Sequence, residues 1–122
     1  MTKKILYVQT SGPETPERLY APFVLASTAR AMGIEATVYF LAKGILGIKK
    51  GVPASIKMGN FPSLKEVIDQ AANAGVQMMI CAQSAQLWGT KAQPEEFEEG
   101  TKIVGAATLN DLALEHDAVL TF

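Results

Sequence analysis

The sequence predicts an α/β fold, a Rossmann-like three-layer α/β/α sandwich around a mostly parallel five-stranded sheet, carried by one domain over residues 1–122. Three observations predict it. Short β-branched and aromatic runs alternate with segments of helical period. Hairpin signals are absent between those runs, so consecutive strands need crossovers. The run "VQMMICA" shows no polar alternation beyond Gln77, as expected for a strand covered on both faces. With 48% of its residues hydrophobic, a chain of this length can build a real core.

The elements follow in order. "KILYVQ", Lys4 to Gln9, reads as the first strand, and "TSGPETPE" supplies turn residues and a helix start. From about Glu17 to Met32 a helix is expected, with Leu19, Phe23 and Ala26 on one face, Leu25, Ala29 and Met32 widening it, and Gly33 as the stop. Pro22 should kink that helix or mark its true start. "EATVYFLA" is the second strand. In "FPSLKEVIDQAANAG", Ser63 caps a helix, Glu66 completes a capping box, Leu64, Val67, Ile68 and Ala71 form the apolar stripe, and Gly75 closes it. "VQMMICA" is the third strand, "TKIVGA" the fourth, "TLNDLALEHD" a short helix and "AVLTF" the last strand. Right-handed crossovers are expected, but the pattern leaves the strand order open.

Composition removes several functions. Eleven basic and twelve acidic residues leave no global field for nucleic acid or an anionic membrane. The opening "MTKKILYVQT" loses its apolar run at Gln9 and Thr10, well short of a secretory core or a membrane span, so the expected location is cytoplasmic. A single cysteine excludes an intramolecular disulfide framework, a Cys-x-x-Cys pair and a cysteine-rich zinc site within one chain. A single histidine leaves little imidazole chemistry, and no metal or cofactor is expected. No G-x-G-x-x-G follows the first strand, and "GIKKGV" lacks the spacing and the Ser/Thr of a phosphate loop. A nucleotide or flavin binder therefore rests on architecture alone.

In open parallel sheets ligands sit beyond the carboxyl ends of the strands. That rule selects "TSGPET", "LAKGILGIKKGVPASIKMGNF" and "CAQSAQLWGTKAQPEEF". Cys81 ends its strand and precedes a helix-compatible segment, where backbone N–H groups can face its sulfur and favour thiolate. An unperturbed thiol would be only about 3% thiolate at neutral pH. Lys43, Lys49, Lys50 and Lys57 fall in an interval without acidic residues between Glu35 and Glu66, and could hold an anion if that loop covers the same end of the sheet.

Each feature also has a plainer reading. Free cysteine is among the most buried residue types, and lysine-rich loops are usually solvated. "TSGPETPE" reads equally as turn and cap chemistry. His116, near the amino end of the last strand, is structural, and "PEEFEEG" is a solvated helical turn whose Glu95 to Glu99 cluster binds metal only if folding converges the carboxylates. Trp88 and "GILGI" are expected to be buried between subunits.

Three segments, "PERLYAPFVLASTARAMGIEATVYF", "MMICAQSAQLWG" and "TLNDLALEHDAVLTF", taken in order and spacing, resemble the DsrE/DsrF-like family of small sulfur-relay and sulfurtransferase-type proteins, which includes TusD-type subunits. The resemblance spans nearly the whole chain. It implies an α/β/α sandwich assembling into homotrimers, hexamers or related rings, with Cys81 carrying a persulfide between a sulfur donor protein and an acceptor protein. In that mechanism the backbone N–H groups of Gln83 and Ser84, with Lys43, would stabilise the anionic sulfur, and Thr10 and Ser11 would add hydrogen bonds. The alternative is a non-catalytic oligomeric assembly protein of the same fold, which binds a small ligand or another protein and keeps Cys81 buried.

Overall fold

A computed structural model describes residues 2–122. Five strands, β1 (Lys4–Gln9), β2 (Glu35–Phe40), β3 (Gln77–Cys81), β4 (Thr101–Val104) and β5 (Ala118–Thr121), form one sheet in the order β4-β3-β2-β1-β5. Every pairing is parallel. Four helices, α1 (Pro16–Ala31), α2 (Leu64–Asn73), α3 (Ala82–Leu87) and α4 (Ala106–Glu115), connect them, and 3-10 turns occupy Ala42–Ile48, Pro53–Ser55 and Pro94–Glu96.

The strand order decides where the helices go. From β1 to β4 the chain advances across the sheet in one direction, and from β4 to β5 it returns. Right-handed crossovers place connections that run in opposite directions on opposite faces. Accordingly α1, α2 and α3 pack on one face, through Leu19, Phe23, Leu64, Ile68 and Ala85, against Tyr7, Val38, Phe40, Met78 and Ile80. Alone on the other face, α4 lays Leu109 and Leu112 over Leu6, Val8, Tyr39 and Cys81. One helix about 10–12 Å across cannot cover a five-stranded sheet about 19 Å wide. No residue of α4 is buried, and all four residues of β5 are exposed.

Most local signals act as their chemistry requires. The Ser63 hydroxyl accepts from the Glu66 N–H at 3.3 Å, and Leu64, Val67, Ile68 and Ala71 are buried. Gly33 and Gly75 end α1 and α2 with φ of +80° and +95°, the left-handed conformation that glycine adopts without penalty. In α1, Pro16 occupies the first turn, where a missing N–H costs nothing. The helix continues through Pro22, which is buried, so Pro22 does not mark its start.

Three expectations fail for geometric reasons. Leu25 and Met32 do not widen the buried face of α1, since both are exposed. At about 100° per residue Leu25 lies about 160° round from Phe23, and Met32 is already past the last turn. The "GILGI" run is not left for a subunit interface: Ile45 and Ile48 are fully buried in this chain's own core, and Gly47 meets Leu19. Gly44 sits so close to β1 that a Cβ there would lie 1.9 Å from the Gln9 carbonyl oxygen. "PEEFEEG" is not simply solvated. Phe97 is in the core, and buried Glu98 accepts from the Gly51 N–H at 2.6 Å and pairs with Lys65 at 3.5 Å. A carboxylate that deep is tolerated because it is paired and hydrogen-bonded.

Candidate functional site

Cys81 closes β3 and is the N-cap residue of α3, with its Sγ accepting from the Ser84 N–H at 3.4 Å. Sulfur thus takes the place usually held by a serine or aspartate oxygen at a helix start. Its strand neighbour is Val104, the last residue of β4. After β3 the chain turns to the α1/α2 face, and after β4 it turns to the α4 face. The carboxyl ends of β3 and β4 therefore form the switch point at which adjacent connections part, the position where ligands bind in open α/β sheets. The Cys81 side chain lies on the α4 side of that split.

Gln83 joins the sulfur to α4, and Tyr39, in the same buried cluster as Cys81, bonds to the start of that helix. The Gln83 Oε1 atom lies 3.8 Å from Sγ, within reach of its S–H, and accepts from the Ala106 N–H at 3.1 Å. Tyr39 is fully buried on the same face, and its hydroxyl donates to the Gly105 carbonyl at 3.0 Å. The Ser84 hydroxyl accepts from the Ala42 N–H at 2.7 Å, so its own proton remains free for the sulfur. Ala42 itself holds φ of +54°, a left-handed conformation costly for a residue with a Cβ.

Burial pushes the Cys81 thiol pKa up, but the hydrogen bonds oppose it and win. The Ser84 hydroxyl and N–H contribute most, followed by the Tyr39 hydroxyl and the Gln83 N–H, so the net shift is below the ordinary thiol value. Tyr39 is pushed up, first by burial and then by the adjacent sulfur, and keeps its proton. Cys81 is only 2% exposed, so a thiolate-favouring environment coexists with restricted access.

The other expected site residues lie elsewhere on the same rim. Lys43 pairs with Glu14 at 3.1 Å and stands over the Trp88 ring at 5.7 Å, tying the loops after β1, β2 and β3 together. It is not among the groups acting on the sulfur. Thr10 donates to the Phe122 carbonyl from both its N–H, at 2.6 Å, and its hydroxyl, at 2.7 Å. The Ser11 carbonyl accepts from the Gln9 side chain at 3.0 Å. Lys50 is exposed, and Lys57 donates to the Gly59 carbonyl within its own loop at 3.1 Å. His116 bonds to the Leu112 carbonyl through its ring. Among the described residues, no three His, Cys, Asp or Glu side chains gather as metal ligands, and no helix is long and apolar enough to cross a membrane.

Tyr39 was not legible as a site residue. Its one signal is a phenol near the carboxyl end of an apolar strand, buried from Ala36 to Phe40, where the hydroxyl must find a partner. Gln9 carries a similar signal at the end of β1. It is fully buried on the opposite face, and its Oε1 is the buried side-chain atom without a hydrogen-bond partner among the described residues.

Comparisons with known proteins agree with this architecture. The chain is 29% identical over 105 residues to an uncharacterized protein of Methanocaldococcus jannaschii, a match that covers 86% of this chain but only 38% of that longer protein. It is 27% identical to the sulfur carrier protein DsrE2 of Allochromatium vinosum, with 97% of each covered. Among solved structures, the ychN protein of E. coli superposes with a TM-score of 0.78 at 19% identity over the full length of both chains. A protein of unknown function from Methanobacterium thermoautotrophicum does so with a TM-score of 0.67 at 13% identity, again over both full chains. These two likenesses concern the fold. The DsrE/DsrF-like family model matches residues 3–122, and with the parallel sheet and its cysteine-bearing third strand on view, the chain belongs to the DsrE/DsrF-like family.

Proposed function

We propose that the protein is a sulfur carrier of a relay, with Cys81 as the residue that takes up and passes on a sulfane sulfur. The observation that carries this reading is the sulfur's setting: a thiol at the β3/β4 switch point, capping α3 and surrounded by donors that favour its anion. A relative named as a sulfur carrier, covered over 97% of both chains, supports it.

The chemistry balances without a cofactor. The Cys81 thiolate attacks the outer sulfur of a donor persulfide, forming the new S–S bond as the donor's S–S bond breaks. The electron pair leaves on the donor sulfur, which departs as a thiolate. The Cys81 persulfide then yields its outer sulfur to an acceptor thiolate by the same displacement, and Cys81 is regenerated. Backbone N–H groups of Ser84 and Gln83 stabilise the anionic sulfur in both steps. Lys43, paired with Glu14 beside Trp88, and Thr10 and Ser11 on the neighbouring loop form the rim that a partner protein would meet. A lone thiol of this kind suits the reducing cytoplasm.

Partners have to reach a sulfur that is 2% exposed. The cover with least packing to lose is α4, which buries none of its residues. The exposed apolar residues Leu114, Val119 and Leu120 on α4 and β5 favour a homo-oligomer, a trimer or hexamer, over a free chain.

Incubation with a low-molecular-weight persulfide, followed by intact mass measurement, is expected to show one added sulfur that is lost in Cys81→Ala. Absence of the adduct with several donors would sink this function. The same burial of Cys81 favours a second reading, an oligomeric assembly protein that binds a small ligand or another protein and performs no sulfur chemistry. That reading requires Cys81→Ala to form its complexes normally while the wild-type thiol stays inert to persulfides.

A further inference from the structure

We propose that Tyr39 and Gln83 are positioning residues that act on the Cys81 sulfur in opposite senses, the Tyr39 hydroxyl donating to the anion and the Gln83 side-chain carbonyl retaining the S–H proton. Register brings Tyr39 within reach. Tyr39 pairs with Met79, and Cys81 stands two residues further along β3, so both side chains project from the same face as diagonal neighbours. At such a spacing a long aromatic side chain meets the neighbour's tip. Tyr39 and Cys81 share one buried cluster with Leu6 and Val8.

The Tyr39 hydroxyl has a single proton, which it donates to the Gly105 carbonyl at 3.0 Å, and it shares its buried cluster with the Cys81 sulfur. With Cys81 as a thiol, its S–H faces the Gln83 Oε1 atom at 3.8 Å, and Tyr39 keeps its bond to Gly105. Once the sulfur is an anion it cannot donate to Gln83, and it becomes a stronger acceptor for the Tyr39 proton than a neutral carbonyl. Tyr39 donates to the Gly105 carbonyl and Gln83 accepts from the Ala106 N–H, so both side chains reach the point where α4 begins. Other titratable groups on the elements packed there are Lys102 on β4, Asp111 and Glu115 on α4, and His116 just after it. The first three are exposed, His116 is bonded to Leu112, and none of the four acts on the sulfur.

The experiment is the pH dependence of Cys81 alkylation by iodoacetamide, with the high-pH plateau reporting access and the midpoint reporting ionisation. Tyr39→Phe is expected to raise the midpoint and slow alkylation at pH 7 roughly tenfold, the effect of one hydrogen bond to a charged group. Gln83→Leu, at an exposed position where folding is not at stake, is expected to lower the midpoint and speed alkylation at pH 7. Merely structural roles would move the plateaus and leave the midpoints in place. Midpoints that stay put, or that move in the same direction in both variants, would overturn the proposal. If Tyr39→Phe fails to fold, a Gln83→Leu midpoint that is unmoved or raised is sufficient to overturn it. The proposal concerns the same thiol as the sulfur-carrier reading, but its test needs no sulfur uptake, so failure of either can be told from failure of the other.

Discussion

On the α1/α2 face of the sheet, Phe23, Ile45, Leu64 and Ile80 are almost fully buried, and three of the four helices cover the strands. On the opposite face Leu6, Val8, Tyr39 and Cys81 are buried under Leu109 and Leu112, which are themselves only half-buried, and β5 is exposed throughout. The cause is topological: three connections advance and one returns, so handedness gives one face most of the helices. Burial is thus concentrated on the face away from the sulfur, and the candidate chemistry sits under the thinner cover. Regions that must open for function are drawn from the less stable parts of a fold.

Core truncation is the strongest way to break that contrast. Phe23→Ala or Ile80→Ala is expected to cost about 3–5 kcal/mol in urea unfolding, through lost burial and a residual cavity. Leu112→Ala on α4 should cost about 1 kcal/mol or less in the isolated chain, and an equal loss at both faces would erase the distinction. Next in size, Gly44→Ala drives a Cβ into the Gln9 carbonyl, a backbone atom that cannot step aside. Its expected cost is about 1–3 kcal/mol, typical of overpacking, and an unchanged urea midpoint would show that the Ala42–Ile48 turn yields to the added methyl group.

The pH prediction concerns the thin face alone. Because the folded protein lowers the Cys81 thiol, folding favours thiolate, and the group's stabilising contribution is present above the unfolded thiol's pKa. It is lost as pH falls through the folded value. Wild type compared with Cys81→Ala in urea titrations should therefore gain relative stability as pH rises through that window, and the opposite slope would mean that burial dominates. Smallest in its effect on the chain's own stability, Leu114→Lys or Val119→Lys should change unfolding by no more than about 0.5 kcal/mol, as exposed sites do. Light scattering of the same variants tests the proposed oligomer: a reduced mass is expected, and an unchanged one would place any assembly contact elsewhere.

Much of this was readable in advance where the information is local. Ser63, Gly33 and Gly75 act through the backbone next to them, and the stripe Leu64, Val67, Ile68 and Ala71 needs only the helical period. Cys81 at the end of its strand followed from the apolar run before it. The burial of Glu98 was not readable, because its partners, Lys65 on α2 and Gly51 in the loop after β2, are distant in sequence and must first be brought together. The place of Lys43 beside Glu14 and Trp88 has the same origin.

By itself the sequence determined the element types, the parallel α/β class and the end of the sheet on which the lone thiol lies, since propensity, period and capping are properties of neighbouring residues. Only the tertiary structure decided the strand order, and with it which face the Cys81 side chain joins and how thinly that face is covered. Strand order is a matter of long-range pairing and crossover handedness, which no local pattern encodes. The juxtaposition of Tyr39, Gln83 and Ser84 around one sulfur follows from it, and so does the attachment of that sulfur to the start of α4.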